Sequence, residues 1–146
     1  MDKLAIVVPC YNEELSVERF YQEATAVFSG QAFDYELIFV DDGSSDNTLL
    51  KLGELAKADA KVKVLSFSRN FGQQAAIICG FRASTGDAVV EMDCDLQDPV
   101  DVVLEMVKRF EEGFEVDYFK SSNVDGGDEW NDRLIAKYED VIPGLN

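Results

Sequence analysis

The chain has 146 residues, which favours a single domain, and it contains no histidine. The missing histidine excludes Ser-His-Asp and Cys-His catalysis and histidine-based zinc sites within the chain. The formal net charge of −16 argues against non-specific nucleic-acid binding, which requires a basic surface. Residues 1–90 carry 13 acids and 8 bases, whereas residues 91–146 carry 16 acids and 5 bases, so most of the excess lies in the second part.

Composition and the N-terminus indicate a cytoplasmic globular protein. Hydrophobic residues make up 47% of the chain, enough for a real core. Cys10, Cys79 and Cys94 form no C-x-x-C pair and are predicted to be reduced, mostly buried thiols. The N-terminus lacks a signal-peptide pattern, and no apolar run approaches the roughly 20 residues that cross a bilayer.

The first half of the chain alternates strands and helices. Leu4–Val8 is a continuous apolar run, typical of a strand buried on both faces. Apolar residues at spacings of three and four then predict a helix from Val17 to Phe28, which ends near Gly30. Tyr35–Val40 is the second predicted strand, and Thr48–Ala58 the second helix.

The same alternation continues. Val62–Phe67 is the third predicted strand, and Gln73–Ala83 is an apolar helix. Within it, Gly80 suggests close packing against a neighbouring element, because glycine otherwise weakens a helix. Ala88–Met92 is the fourth strand. Pro99 suits the first position of a helix that continues to about Glu112.

Beyond this point the pattern weakens. Glu115–Phe119 is predicted as a fifth strand, Ser121–Asp128 as a loop and Asn131–Asp140 as a short helix. Strands and helices joined by short connections predict an α/β fold, with a mostly parallel sheet covered by helices. In such sheets, ligands bind beyond the carboxyl ends of the strands.

A cluster of polar residues follows each of the first four predicted strands. Because the carboxyl ends of parallel strands share one edge, the four clusters predict one site. They are Pro9–Glu14, Asp41–Asp46, Ser68–Gly72 and Asp93–Asp98.

Carboxylates dominate the predicted site, which points to a divalent cation. Crowded carboxylates repel one another, and Mg²⁺ and Mn²⁺ prefer oxygen ligands. Asp93 and Asp95 at one strand end could direct two carboxylates to one point, and Gln97 adds a carbonyl oxygen. Taken singly, each motif has a simpler interpretation: a solvated turn with a helix cap at Asp98, and a turn with a helix cap at Asp41–Ser44.

Taken together, the motifs closely resemble family 2 glycosyltransferases of the GT-A fold, and within them the polyprenyl-phosphate group. This group includes dolichol-phosphate mannose synthases and bacterial undecaprenyl-phosphate glycosyltransferases. The resemblance covers roughly residues 3–118, and it implies a Rossmann-like, mostly parallel sheet flanked by helices. The residues that carry it are Val7–Glu14, Val40–Thr48, Ser68–Gly72 and Met92–Pro99.

The resemblance also implies roles for individual residues. Those that bind the nucleotide sugar would be Pro9, Tyr11, Glu13, Val40, Asp41, Asp42, Arg69 and Asp93. Within this set Glu13 would lie near the ribose, and Asp42 would accept a hydrogen bond from the base. Arg69 belongs to a loop near the donor. Asp93 and Asp95 are implied as catalytic residues, and Asp95, Gln97 and Asp93 as the group that holds Mg²⁺ or Mn²⁺.

The activity that the resemblance implies is transfer of a hexose from a UDP- or GDP-sugar to a polyprenyl phosphate, with inversion at the anomeric carbon. A lipid phosphate is already ionised at neutral pH, so a chain without histidine needs no strong general base. The implied location is cytoplasmic, peripheral to the cytoplasmic membrane face. A homo-oligomer is a further expectation, and nucleic acid is not an expected partner.

The chain departs from the family pattern in its last part, where relatives place basic residues that bind the acceptor. Lys120 is the only base near the corresponding strand end. We therefore expect a donor-binding core over residues 1–119 and a divergent tail over 120–146. The alternative is a truncated, non-catalytic nucleotide-sugar-binding module that acts with a partner. A Rossmann dehydrogenase is disfavoured because no G-x-G-x-x-G follows the first strand.

Overall fold

The computed structural model describes residues 1–97, 99–113, 116–120 and 130–137, the last two ranges by their backbone. The elements in chain order are β1 (Lys3–Cys10), α1 (Val17–Phe28), β2 (Asp34–Asp41), α2 (Thr48–Ala58), β3 (Val62–Ser66), α3 (Gln73–Ala83), β4 (Ala88–Glu91), α4 (Val102–Glu111), β5 (Val116–Lys120) and β6 (Trp130–Lys137).

The strands form one sheet in the order β3-β2-β1-β4-β6-β5. Strands β1 to β4 run parallel to one another, whereas β6 is antiparallel to both β4 and β5. A parallel pair needs a long crossover, and α1, α2 and α3 supply the crossovers between consecutive strands. The predicted α/β architecture with a mostly parallel sheet is confirmed.

Strand β1 is the centre of the core. Leu4–Val8 is fully buried, as expected for a strand covered on both faces. Alternate side chains point to opposite faces, so Ile6 packs with α1, α2 and α4 while Val7 packs with α3. The continuous apolar run in the sequence therefore reflects two hydrophobic layers, one on each side of the sheet.

The close packing predicted at Gly80 is confirmed. A Cβ atom at this position in α3 would lie 2.3 Å from Cγ1 of Val7 and 3.3 Å from Cγ2 of Val40. The glycine lets α3 pack closely against β1 and β2.

The bounds of several elements differ from the predictions. Strand β1 continues through Pro9 to Cys10, because both residues stay in register with the end of β2. Helix α4 begins at Val102 and not at Pro99. The carbonyl of Pro99 accepts the N–H of Val102 at 3.2 Å, so an i to i+3 turn precedes the helix.

The predicted helix over Asn131–Asp140 is wrong for the residues that are described. Residues 130–137 form β6, which pairs with β4 through Ile135 and Val90 and with β5 through Leu134 and Tyr118. Backbone pairing with two neighbouring strands outweighs the weak helical periodicity of the segment. The predicted loop over residues 121–128, the predicted cap at residue 98 and residues 138–140 lie outside the described residues.

No helix in the described part of the chain is a candidate for spanning a membrane. None of those in the described part of the chain combines the length and the apolar character that a bilayer span requires.

Candidate donor-binding site

The carboxyl edge of the sheet carries a cavity of about 540 Å³. Three of the four predicted clusters supply strand ends or turns to it, and the fourth supplies the loop between β3 and α3. The lining residues are Pro9, Cys10, Tyr11, Glu13, Asp42, Asn70, Gly72, Gln73, Asp93, Cys94 and Asp95. The structure thus brings the clusters together at one place.

Six of the predicted site residues line the cavity: Pro9, Tyr11, Glu13, Asp42, Asp93 and Asp95. Their roles as ligand-binding residues stay predictions. They come from different elements, which the parallel order of β2, β1 and β4 places side by side. Residues that are far apart in sequence meet at the carboxyl edge because each lies at or after the end of one of these adjacent strands.

The other four predicted residues are not among those that line the cavity. Val40 and Asp41 are buried in the last part of β2. The Arg69 guanidinium lies 4.0 Å from the centre of the Phe71 ring, a cation–π contact. Gln97 is exposed, and its backbone N–H donates to Asp95 Oδ1 at 3.2 Å, closing a short turn.

Hydrogen bonds between two clusters shape the first wall of the cavity. The Asn12 N–H donates to Ser44 Oγ at 2.9 Å, and the Ser45 N–H donates to Asn12 Oδ1 at 2.9 Å. The Glu13 N–H donates to Oγ1 of the buried Thr48 at 2.8 Å. The loop after β1 is therefore fixed to the start of α2, and Glu13 is held at the cavity by its backbone.

The Asp42 carboxylate shapes the second wall. It accepts the Phe71 N–H at 2.7 Å, the Gly72 N–H at 3.1 Å and the Asn70 side-chain amide at 3.0 Å. The neighbouring Gly43 has a φ of +71°, and a Cβ atom there would lie 2.2 Å from the Arg69 carbonyl carbon. The turn after β2 and the loop after β3 thus touch through backbone, with Asp42 as their link.

The electrostatics of the cavity are set by its carboxylates. Desolvation raises the pKa of Glu13, a hydrogen bond with Ser16 lowers it, and the charges of Asp95, Asp93 and Asp46 raise it further. The net direction is upward. Asp93 also accepts the Gln73 side-chain amide at 3.3 Å. The charges of Asp95 and Asp93 therefore act on Glu13 in the direction that a bound cation would offset.

The donor chemistry suits a hard divalent ion. Among the described residues, no group of three or more His, Cys, Asp or Glu side chains converges as a ready metal site. Mg²⁺ is usually held by one or two carboxylates together with substrate phosphates. Asp93 and Asp95 supply two carboxylates at one end of the cavity, so the residues fit an ion that arrives with a phosphate ligand.

Sequence reasoning gave no role to Cys10, Gly72, Gln73 and Cys94, although all four line the cavity. The two buried cysteines are neighbours. Their side chains share a hydrogen bond that, with burial, raises the pKa of the Cys10 thiol. The signal was available, since each cysteine stands inside a motif that follows a strand, but only the strand order shows that β1 and β4 are adjacent.

Comparison with known proteins identifies the family. The family model described as Glycosyl transferase family 2 matches residues 5–142. The chain belongs to this family. The resemblance seen in the motifs is thereby confirmed, and the chain is a family 2 glycosyltransferase sequence.

Curated relatives support the same assignment. The chain is 40% identical over 97% of its length to an uncharacterized glycosyltransferase, YkcC, of Bacillus subtilis, of which it covers 44%. It is 36% identical over 83% of its length to the bactoprenol glucosyl transferase of Shigella phage SfX, of which it covers 40%. The chain thus spans less than half the length of these relatives.

Solved structures share the fold. Glucosyl-3-phosphoglycerate synthase from Mycobacterium tuberculosis, in complex with UDP, aligns over 94% of this chain and 57% of its own, with a TM-score of 0.71 and 21% identity. TarS 1-349 from S. aureus, in complex with UDP, aligns over 86% of this chain and 37% of its own, with a TM-score of 0.64 and 23% identity. The predicted GT-A fold is confirmed.

Proposed function

We propose that the chain binds the donor in a metal-dependent, inverting transfer of a hexose from a nucleotide-diphosphate sugar to a polyprenyl phosphate. The observation that carries the proposal is the cavity at the carboxyl edge of the sheet, lined by Glu13, Asp42, Asp93 and Asp95. Residues 1–119 would form the donor-binding core and residues 120–146 a divergent tail.

The names and bound ligands of related proteins favour a UDP-sugar as the donor and a polyprenyl phosphate as the acceptor. A relative is named a bactoprenol glucosyl transferase, which supports a polyprenyl-phosphate acceptor and makes UDP-glucose the first donor to test. Two structural neighbours are described with UDP, and one of them also with Mn²⁺. GDP-sugars remain the second class, because another neighbour is described with GDP-Man and Mn²⁺.

The proposed roles are those that the resemblance to the family implies, and the lining of the cavity supports part of them. Pro9, Tyr11 and Glu13 would line the nucleotide end, with the Glu13 carboxylate toward the ribose. Asp42 would accept from the base, although its carboxylate already holds the loop after β3. Val40 and Asp41 support it from within β2, and Arg69 lies in the loop on the donor side.

Asp93 and Asp95 would hold a divalent ion against the diphosphate, with Gln97 completing the turn that positions Asp95. The ion would supply positive charge that stabilises the leaving diphosphate as the glycosidic bond breaks. The acceptor phosphate attacks the anomeric carbon directly, which inverts its configuration. No residue of this histidine-free chain has to remove a proton from an ionised phosphate.

Calorimetric titration with UDP-glucose in the presence of Mn²⁺ tests the proposal. We expect binding that weakens at least about tenfold, about 1.4 kcal/mol, on adding a chelator or on Asp93→Asn or Asp95→Asn. Asp101→Asn is the matched control, because Asp101 is exposed at the start of α4 and its side chain makes no capping hydrogen bond. A folded protein that binds no UDP- or GDP-sugar would contradict the proposal.

An assay of sugar transfer distinguishes a catalytic glycosyltransferase from a non-catalytic donor-binding module. Incubation with labelled UDP-glucose and polyprenyl phosphate in detergent should yield a lipid-linked sugar of inverted anomeric configuration. Binding without any transfer would instead favour a donor-binding module that acts with a partner.

A further inference from the structure

We propose that Leu96 is a positioning residue for the divalent cation: its left-handed backbone, held in place by the packing of its side chain, presets the turn that carries Asp95. The role toward the ion rests on the proposed function. The role in the turn rests only on the conformation and contacts of Leu96.

The backbone of Leu96 is strained. Its φ is +59°, in the left-handed region where the Cβ atom of an L-residue comes too close to the following carbonyl oxygen. Among the described residues, Asn12 is the only other non-glycine residue with a positive φ. Asparagine tolerates this region because its short polar side chain forms local hydrogen bonds, and the Asn12 side chain accepts the Ser45 N–H. A leucine side chain has no hydrogen bond to offer.

The packing of the Leu96 side chain offsets the strain. The side chain is partly buried and packs against the hydrophobic cluster that α1 and α4 form with the sheet. Cys94 and Val100 belong to the same cluster and are each 2% exposed, so the segment is also tied to the core on both sides of Leu96. A glycine would adopt the same φ without strain, but it would leave the turn without an apolar anchor.

The turn at Leu96 orients a proposed ligand of the ion. Asp95 is exposed and lines the cavity, and its Oδ1 accepts the Gln97 N–H at 3.2 Å. Leu96 is the residue between the donor and the acceptor of this hydrogen bond. A change in the φ of Leu96 therefore moves the Gln97 N–H relative to the Asp95 carboxylate.

Orientation before binding matters here because the site offers few protein ligands. Asp93 and Asp95 supply two carboxylates, and a Mg²⁺ site of this kind is completed by substrate phosphates. A mobile carboxylate loses conformational freedom when it binds an ion, whereas one that the fold already holds does not. The anchor at Leu96 would therefore strengthen ion binding without touching the ion.

Relaxation of backbone ¹⁵N nuclei measures how firmly the turn is held. We expect the Gln97 N–H to have an order parameter of about 0.85 in the parent and below about 0.6 in Leu96→Gly. Leu96→Met keeps an apolar side chain of similar size and should restore the parent value. A flexible turn in the parent, or an equally rigid one in Leu96→Gly, would overturn the proposal.

Urea unfolding tests the strain, with a matched pair of variants at Leu104. Leu104 is also partly buried against the same cluster, but it lies within α4. Leu96→Gly should unfold at a higher urea concentration than Leu96→Ala, because only alanine keeps the strain of a positive φ. At Leu104 the order should be reversed, because glycine weakens a helix. The same order at both positions would overturn the proposal.

Titration with Mn²⁺ in the presence of UDP, followed by the electron paramagnetic resonance signal of the free ion, tests the role toward the cation. Leu96→Gly should bind Mn²⁺ about 10–100-fold more weakly than the parent, the range typical of residues that orient metal ligands. Leu96→Met and Leu104→Ala should bind it with the parent affinity. Leu96→Gly protein that binds Mn²⁺ as tightly as the parent would overturn this role.

Failure of the proposed function would give a different result. In that case the parent itself would bind no Mn²⁺ with UDP, and the role of Leu96 toward the ion would be overturned together with the proposed function. The order parameter of the Gln97 N–H and the urea midpoints would still decide whether Leu96 holds the turn.

Discussion

The Asp42 carboxylate accepts the Phe71 N–H at 2.7 Å, so the end of β2 holds the loop that follows β3. The two residues are 29 positions apart in the chain. Gly72 and Asn70 donate to the same carboxylate, which makes Asp42 the link between the turn after β2 and the loop after β3.

Replacing Asp42 by alanine should loosen this loop. Three donors lose a charged acceptor, and since the loop is partly exposed, water can replace part of the loss. We expect unfolding to become easier by about 1–3 kcal/mol, and nucleotide binding to weaken more than tenfold. Urea denaturation and calorimetry measure the two effects. Asp101→Asn should change neither, and equal losses in both proteins would count against the assignment.

Alanine substitutions at Gly80 and Gly53 should change the free energy of unfolding in opposite directions. A Cβ atom at Gly80 would overlap Val7, whereas one at Gly53 in α2 meets nothing within 4 Å. Gly80→Ala should destabilise the protein by about 1–3 kcal/mol. Gly53→Ala should stabilise it by about 0.5–1 kcal/mol, because alanine favours a helix. Thermal or urea unfolding of both variants gives the comparison, and two shifts of the same sign would contradict it.

Glu36 predicts how stability depends on pH. Its buried carboxylate accepts Lys63 Nζ at 2.6 Å and the Thr85 N–H at 2.6 Å. Burial raises the pKa of Glu36, but these hydrogen bonds and the charge of Lys3 lower it more, so the folded pKa lies below the usual value. Its stabilisation is present above the unfolded pKa, about 4.3, and is lost as pH falls through the folded pKa.

Glu36→Gln should therefore remove part of the acid sensitivity. We expect it to lower the free energy of unfolding at pH 7 by about 1–3 kcal/mol, with a smaller difference from the parent at pH 3. The cost stays moderate because the ammonium groups of Lys3 and Lys63 remain partly solvated. Glu54→Gln, at an exposed position of α2, is the control. A difference that does not shrink at low pH would refute the assignment.

Glu13 should contribute a pH dependence of stability opposite in sign to that of Glu36. Its folded pKa is raised, mainly by desolvation, so the ionised carboxylate disfavours the folded state at neutral pH. Stability falls as pH rises through its unfolded and folded pKa values. Glu13→Gln should raise the free energy of unfolding at pH 7 by less than about 1 kcal/mol, since solvent screens the half-buried group. Denaturation at pH 7 and pH 4 checks this, and a loss of stability at pH 7 would contradict it.

The proposed function predicts that the same Glu13→Gln variant binds UDP-glucose more weakly than the parent protein. A change that stabilises the fold and weakens the site is the expected mark of a functional carboxylate. Calorimetry on the variant, with Glu54→Gln as control, separates this outcome from a purely structural role.

The sequence by itself determined the order and type of the elements over its first 113 residues, because hydrophobic periodicity is local and strong there. It also determined that polar clusters follow the strands, and motifs such as Met92–Pro99 identified the family. Helix α3 was predicted with its observed bounds, and so was the need for close packing at Gly80.

Only the tertiary structure decided which distant residues meet. The strand order brings Cys10 and Cys94 to the lining of one cavity and lets Asp42 accept the N–H of Phe71, and neither relationship follows from spacing along the chain. It also decided that Trp130–Lys137 is a strand between β4 and β5 and not a helix. Sheet pairing is non-local: its energy comes from backbone partners that are far away in sequence, and a single segment carries no record of them.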